Sequence, residues 1–137
     1  MKIKSKVFLS IMFIISLILM SLSWFGSARG VQEIKGTIVL YNPLTIISII
    51  MFFISIWISF KNKNINKRLP LLTSILIVLV EIYTFFIWHY QTITGKISLN
   101  SSLERAYPEF YFGIIISIIM CYICYLILKK DSEISKI

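Results

Sequence analysis

Glu81 is the side chain best placed to do chemistry in this sequence, because it stands near the middle of a long apolar run, 69–90. A charge at the centre of a membrane span costs roughly 2.5–3.5 kcal/mol, and such residues face a bundle interior or a wet cavity. No basic residue stands at the same depth in another apolar run. Desolvation without a counter-ion disfavours the charged form, so Glu81 is expected to be largely neutral at pH 7 unless a cavity hydrates it. Two roles are open to it. One is a protonated acid hydrogen-bonded to a hydroxyl such as Ser117 or Ser48. The other is a binding site for a proton, cation or ligand, with Ser74, Ser117 and His89 as companions. His89 lies eight residues on, roughly 12 Å along a helix, so it cannot touch Glu81 directly. A water chain would make the two a proton half-channel; otherwise His89 is an interfacial histidine beside Trp88 and Tyr90. As the only histidine, it cannot anchor a usual zinc site.

Cys121 and Cys124 form a CxxC, a spacing that supports redox exchange in a soluble βαβ setting. Here it falls deep in an apolar run, and free cysteine commonly packs as a small hydrophobe. Packing is the expected role. No Ser/His/Asp arrangement, paired carboxylates or phosphate loop appears, so no enzyme, cofactor or metal site is expected.

Most structured polar sequence lies in two loops. One contains Ile34-Lys35-Gly36-Thr37-Ile38-Val39-Leu40-Tyr41, the other Ile93-Thr94-Gly95-Lys96-Ile97-Ser98-Leu99-Asn100. Ile, Gly, Ile and Leu recur at matching places, and the apolar side chains alternate as in half-buried strands. The two segments are expected to pair as a small sheet over the helices. The chain would then be two helix–strand–helix halves related by an axis along the membrane normal, as parallel repeats are in transporters. Glu33, Lys35, Gly36, Gly95, Lys96 and Arg105 are the candidate recognition residues of these loops. Asn100-Ser101-Ser102 is a glycosylation sequon, relevant only in a eukaryotic host.

The elements that must position these residues follow from composition. Of 137 residues, 58% are hydrophobic and 15% charged, more apolar surface than a soluble domain of this size can hide. The apolar residues form runs near the length needed to cross ~30 Å of hydrocarbon. The spans are read as 7–26, 43–60, 69–90 and 108–128. The expected fold is an all-α, four-transmembrane-helix bundle in one domain, with the two-stranded β element over one end.

The net charge of +8 sorts by side and implies no nucleic acid. Lys2, Lys4, Lys6, Lys61, Lys63, Lys67, Arg68, Lys129, Lys130 and Lys136 fall on one side; Arg29, Lys35, Lys96 and Arg105 fall on the other. The positive-inside rule then puts both termini in the cytoplasm and the 26–42 and 91–107 loops outside. The inner clusters should attract anionic headgroups in a generic way. Lys2–Lys6, an apolar run and Gly26-Ser27-Ala28 also fit a signal peptide, but the run exceeds the usual 7–15 residues. An uncleaved first span is expected. Heavy Ile, Lys and Asn usage points to a bacterial cytoplasmic membrane.

Helix starts are marked by Asn42-Pro43, Leu69-Pro70 and Tyr107-Pro108-Glu109. Aromatics gather at the span ends as an interfacial belt: Trp24, Phe25, Tyr41, Trp88, Tyr90, Tyr107 and Tyr111 outside, Trp57, Tyr122 and Tyr125 inside. Each span carries a stripe of small or polar residues at helical spacing: Ser16, Met20, Ser23 and Ser27; Ser48, Ser55 and Ser59; Ser74, Glu81 and Trp88; Gly113, Ser117, Cys121 and Cys124. Small side chains let helices approach, and hydroxyls can bond across them. These stripes should line the interior, leaving Ile, Leu and Phe to lipid.

Two families invite comparison. The CxxC resembles that of four-span disulfide-generating enzymes, but the outer loops here lack cysteines to exchange electrons with. The size, span number and lone membrane glutamate are similar to those of small multidrug transporters, whose glutamate belongs to the first span rather than the third. The expected function is therefore non-enzymatic: an accessory, immunity or resistance protein recognising a membrane protein or peptide through its outer loops. The alternative is an oligomeric proton-coupled transporter or channel built on Glu81.

Overall fold

Proline opens two of the long helices and stands second in a third. The structure, a computed structural model, describes residues 3–26, 30, 32–58, 68–92 and 99–134. Its helices are α1 (Ile3–Met20), α2 (Pro43–Ile58), α3 (Leu69–Thr92), the short α4 (Leu99–Arg105) and α5 (Pro108–Ile134). Asn42 caps α2 as its sequence position implies: its Oδ1 accepts the Leu44 N–H at 3.0 Å and its carbonyl accepts the Thr45 N–H at 2.9 Å. Pro43 then needs no hydrogen-bond partner for its nitrogen. α3 packs against both α2 and α5, and α1 packs chiefly on α5.

Among the described residues, two helices are long and apolar enough to cross a membrane, Leu69–Trp88 and Pro108–Lys129; Val7–Met20 and Pro43–Ile58 are shorter apolar helices. The run expected as a first span to residue 26 stops being helical at Met20. Ser21 and Leu22 tighten the last turn by donating N–H bonds to Ile18 and Leu19, and the Ser21 hydroxyl also donates to the Ile18 carbonyl. The chain then turns into β1 (Ser23–Phe25), which pairs antiparallel with β2 (Ile34–Lys35).

This corrects the expected sheet. Only the first two residues of the 34–41 segment form a strand, and their partner is Ser23–Phe25. Gly36–Tyr41 is a 3₁₀ helix, and Leu99 and Asn100 belong to α4; residues 93–98, with Gly95 and Lys96, lie outside the described residues. Alternation failed here for a physical reason: Ile38 and Val39 are both buried, which adjacent strand positions cannot achieve on one face. The second loop meets the first elsewhere. Phe25 bridges to Ala106, the Gly26 N–H donates to the Arg105 carbonyl at 3.0 Å, and the Tyr107 N–H donates to the Trp24 carbonyl at 2.8 Å. β1 thus holds β2 on one edge and the 105–107 segment on the other. The proposed symmetry of two alike halves disappears with the expected pairing.

The interior mixes an apolar core, with Leu9, Phe13, Phe52, Ile56, Ile77, Val80, Phe110 and Met120 buried, with polar side chains, Ser16, Thr45, Ser48, Ser55, Thr73, Ser74, Glu81, Thr84 and Ser117. Large apolar side chains also cover the outside, where Ile14, Ile18, Ile47, Ile50, Phe53, Leu79, Ile115 and Ile118 are exposed. Ser27 and Ser59 of the stripes are outside the described residues. Four of the buried hydroxyls bond back to their own helix: Ser48 donates to the Leu44 carbonyl, Ser55 to Phe52, Thr73 to Leu69 and Ser74 to Leu71. Such back-bonding satisfies the hydroxyl locally and leaves a small surface for a neighbouring helix.

Candidate functional site

The α3–α5 interface is built in three layers. Ser74, Glu81 and Trp88 recur every seven residues on α3; Cys124, Ser117 and Phe110 recur every seven on α5, running the other way. Seven residues are almost two helical turns, about 10 Å of rise, so each layer faces its partner in turn. In the first, Ser74 faces the Cys124 thiol, and both side chains are buried. In the second, the Ser117 hydroxyl donates to Glu81 Oε1 at 2.9 Å. In the third, Phe25 from β1 stacks on Trp88 with ring centres 4.9 Å apart and planes within 5°, and tilts against Phe110 at 4.9 Å.

Glu81 is 1% exposed. Its Oε2 has no hydrogen-bond partner among the described residues. Ser117 is the partner the structural reading required; the second hydroxyl considered, Ser48, bonds instead to its own helix. The pair is a polar tie between two apolar helices, and the remaining oxygen can hold a proton or accept a further bond. Ser74 lies one layer away, too far to join Glu81 directly. His89 falls within α3, with its side chain outside the described residues. Cys121 and Cys124 are free thiols, Cys124 buried and Cys121 half-buried.

The third layer continues into a cap of aromatic rings. Trp24, Phe25 and Trp88 are all 0% exposed, which corrects their expected place in an interfacial belt. Tyr41, Trp57, Tyr122 and Tyr125 are exposed. Phe85 stacks on Phe110 at 5.1 Å, and Trp24 meets Phe110 edge-on at 5.4 Å. The Trp24 indole N–H donates to the Leu19 carbonyl at 2.8 Å, satisfying an end group of α1. Its ring fits between two glycines: a Cβ on Gly36 would lie 2.3 Å from Trp24 Cε2, and one on Gly113 would lie 3.1 Å from Cζ2. Gly36, expected as a recognition residue, is therefore a packing slot. Trp24 and Gly113 were missed as its partners, because such a contact between distant segments leaves no local pattern.

The other loop candidates divide. Glu33 is exposed, but its carboxylate works within the loop: Oε2 accepts the Ser23 hydroxyl at 2.6 Å and Oε1 accepts the Gly30 N–H. Gly30 adopts φ 81°, a conformation glycine takes without penalty. Lys35 is exposed, and Arg105 is half-buried, giving its carbonyl to Gly26. Near them Tyr41 is 84% exposed, with Leu40, Leu99 and Leu103 also exposed. No family model matches the chain, and no curated protein or solved structure matches it.

Proposed function

We propose that this chain is a small, non-enzymatic integral membrane protein whose four long helices lie in the bilayer and whose aromatic cap presents a docking surface to a membrane protein or peptide. The apolar outer surface carries the membrane part of this reading. Isoleucine, leucine and phenylalanine exposed along all four long helices, with serines, threonines and a glutamate admitted among the apolar side chains inside, is a distribution that lipid favours and water penalises. At 1.5 Å per residue α3 and α5 are long enough to cross unaided. α1 and α2, at 18 and 16 residues, reach roughly 24–27 Å; the 3₁₀ helix before α2 and β1 after α1 extend each toward the same surface. The lysine distribution supports a cap outside and both termini in the cytoplasm, and heavy Ile, Lys and Asn usage supports a bacterial cell membrane.

The cap supports the docking part. Residues 23–26, 32–41 and 99–107 are tied by backbone pairing and a shared aromatic core, more order than a simple inter-helix connection needs. Tyr41, Lys35 and Leu103 stand on this rigid support with their side chains outward. A photo-crosslinking amino acid at Tyr41, compared with one at lipid-facing Ile50, tests the reading in native membranes. A discrete protein or peptide adduct at Tyr41, lost on Lys35→Glu, is expected. Equal, lipid-only labelling at both positions would refute a docking cap.

The second reading is a proton-coupled transporter or channel, active as an oligomer, and the observation favouring it is the buried Glu81 Oε2 with no described partner. Glu81→Gln separates the two. A docking protein tolerates a neutral amide in place of the acid; a proton-coupled carrier loses transport and its pH dependence.

A further inference from the structure

An apolar groove of about 400 Å³ runs along the outer side of the α3–α5 interface, lined on one wall by Leu71, Ile75, Val78 and Leu79 and on the other by Ile118, Cys121, Tyr122 and Tyr125. Both walls continue at one end into a cation. Arg68, Leu71, Ile75 and Val78 repeat at the three- and four-residue spacing of a helix face, so Arg68 stands one turn beyond Leu71. Tyr122, Tyr125 and Lys129 repeat in the same way on α5, so Lys129 stands one turn beyond Tyr125. Because the helices are antiparallel, these two turns lie at the same end. Arg68 and Lys129 are both exposed.

We propose that this groove is a binding site for one anionic phospholipid, its acyl chain lying between α3 and α5 and its headgroup phosphate held by Arg68 and Lys129. The proposal rests on the reading that α3 and α5 lie in the bilayer. Volume agrees with an acyl chain. A methylene occupies about as much space as a water molecule, roughly 30 Å³, so the groove accommodates about a dozen chain carbons. Charge agrees with an anionic headgroup, since a cation stands one turn beyond each wall at the end that the lysine distribution assigns to the cytoplasm, where anionic lipids concentrate. A transmembrane helix is a poorer occupant, because a chain entering beside two cations must itself carry a negative end.

The test uses the intact protein reconstituted in vesicles of equimolar phosphatidylglycerol and phosphatidylcholine, followed by extraction and native mass spectrometry of retained lipid. One phosphatidylglycerol retained in preference to phosphatidylcholine is expected. Arg68→Gln with Lys129→Gln should lower that preference roughly thirtyfold, two headgroup charges worth about 1 kcal/mol each being removed. Val78→Phe, which fills the groove and leaves the cations, should abolish retention of both lipids. Equal retention of the two lipids, or a preference unchanged by the double variant, overturns the proposal. So does efficient Cys121–Cys121 cross-linking on oxidation in vesicles, which would put a second copy in the groove. Release of the chain from vesicles by alkaline carbonate would instead overturn the membrane reading itself, so the two failures are distinguishable.

Discussion

Replacing Gly36 with alanine should unlock the cap. The added Cβ would lie 2.3, 2.5 and 2.6 Å from Trp24 Cε2, Cδ2 and Nε1, all far inside van der Waals contact. The indole has nowhere to retreat. Gly113 closes its other side, with room for a Cβ only at 3.1 Å from Cζ2, and Phe110 meets it edge-on at 5.4 Å. Overpacking of this kind costs about 1–3 kcal/mol. Moving the ring also breaks the bond from Trp24 Nε1 to the Leu19 carbonyl, a further ~0.5–1.5 kcal/mol. A loss of about 2–4 kcal/mol follows. The backbone of Gly36 shows no left-handed φ, so alanine imposes no conformational penalty that could confuse the result. The assay is equilibrium unfolding in mild detergent, for Gly36→Ala, Trp24→Phe and the double variant. Because the smaller phenyl ring leaves space for the methyl, the double variant should be more stable than the sum of the singles by ~1 kcal/mol or more. A Gly36→Ala protein within ~0.5 kcal/mol of the parent, or strict additivity in the cycle, would refute the slot.

Other outcomes follow from the same contacts. Ser117→Ala should destabilise by about 1–3 kcal/mol, since it leaves Glu81 Oε1 buried without its donor, whereas Ser55→Ala, whose hydroxyl bonds only its own helix turn among the bonds described, should cost under ~1 kcal/mol; thermal unfolding of the two distinguishes them. Gly26→Ala places a Cβ 2.6 Å from the Tyr107 hydroxyl oxygen, so Tyr107→Phe should restore part of the lost melting temperature. A lipid-soluble maleimide should modify half-buried Cys121 several-fold faster than buried Cys124, read by peptide mass; equal rates would contradict the α5 rotation described.

Much of the helical interior was legible because it is periodic. The seven-residue recurrence of Ser74, Glu81 and Trp88 needs only a helix to place the three on one face, and Gly113, Ser117 and Cys124 likewise. Pro43 and Pro108 marked their helix starts by local chemistry, as did Asn42. The cap was not legible. Its sheet depends on α1 stopping at Met20, and an apolar run of serine, tryptophan and phenylalanine carries no signal that separates another helical turn from a strand. The similarity between 34–41 and 93–100 drew the eye to the wrong pairing, while Phe25 with Ala106, a contact some eighty residues apart, left no trace in local sequence. Glu81 was recognisable from its depth alone, and its partner Ser117 was one of two hydroxyls that depth allowed.

The distribution of apolar residues on the outside of the helices is the foundation of this account, and site-directed spin labelling tests it most directly. Single labels at Ile14, Ile50, Leu79 and Ile115, in a background with Cys121 and Cys124 replaced by serine, report one outward position on each of α1, α2, α3 and α5. In reconstituted vesicles all four should collide readily with dissolved oxygen and poorly with a water-soluble nickel chelate. Ready access of the nickel chelate to the labels on α1 and α2 would contradict the account, leaving at most two helices in the bilayer.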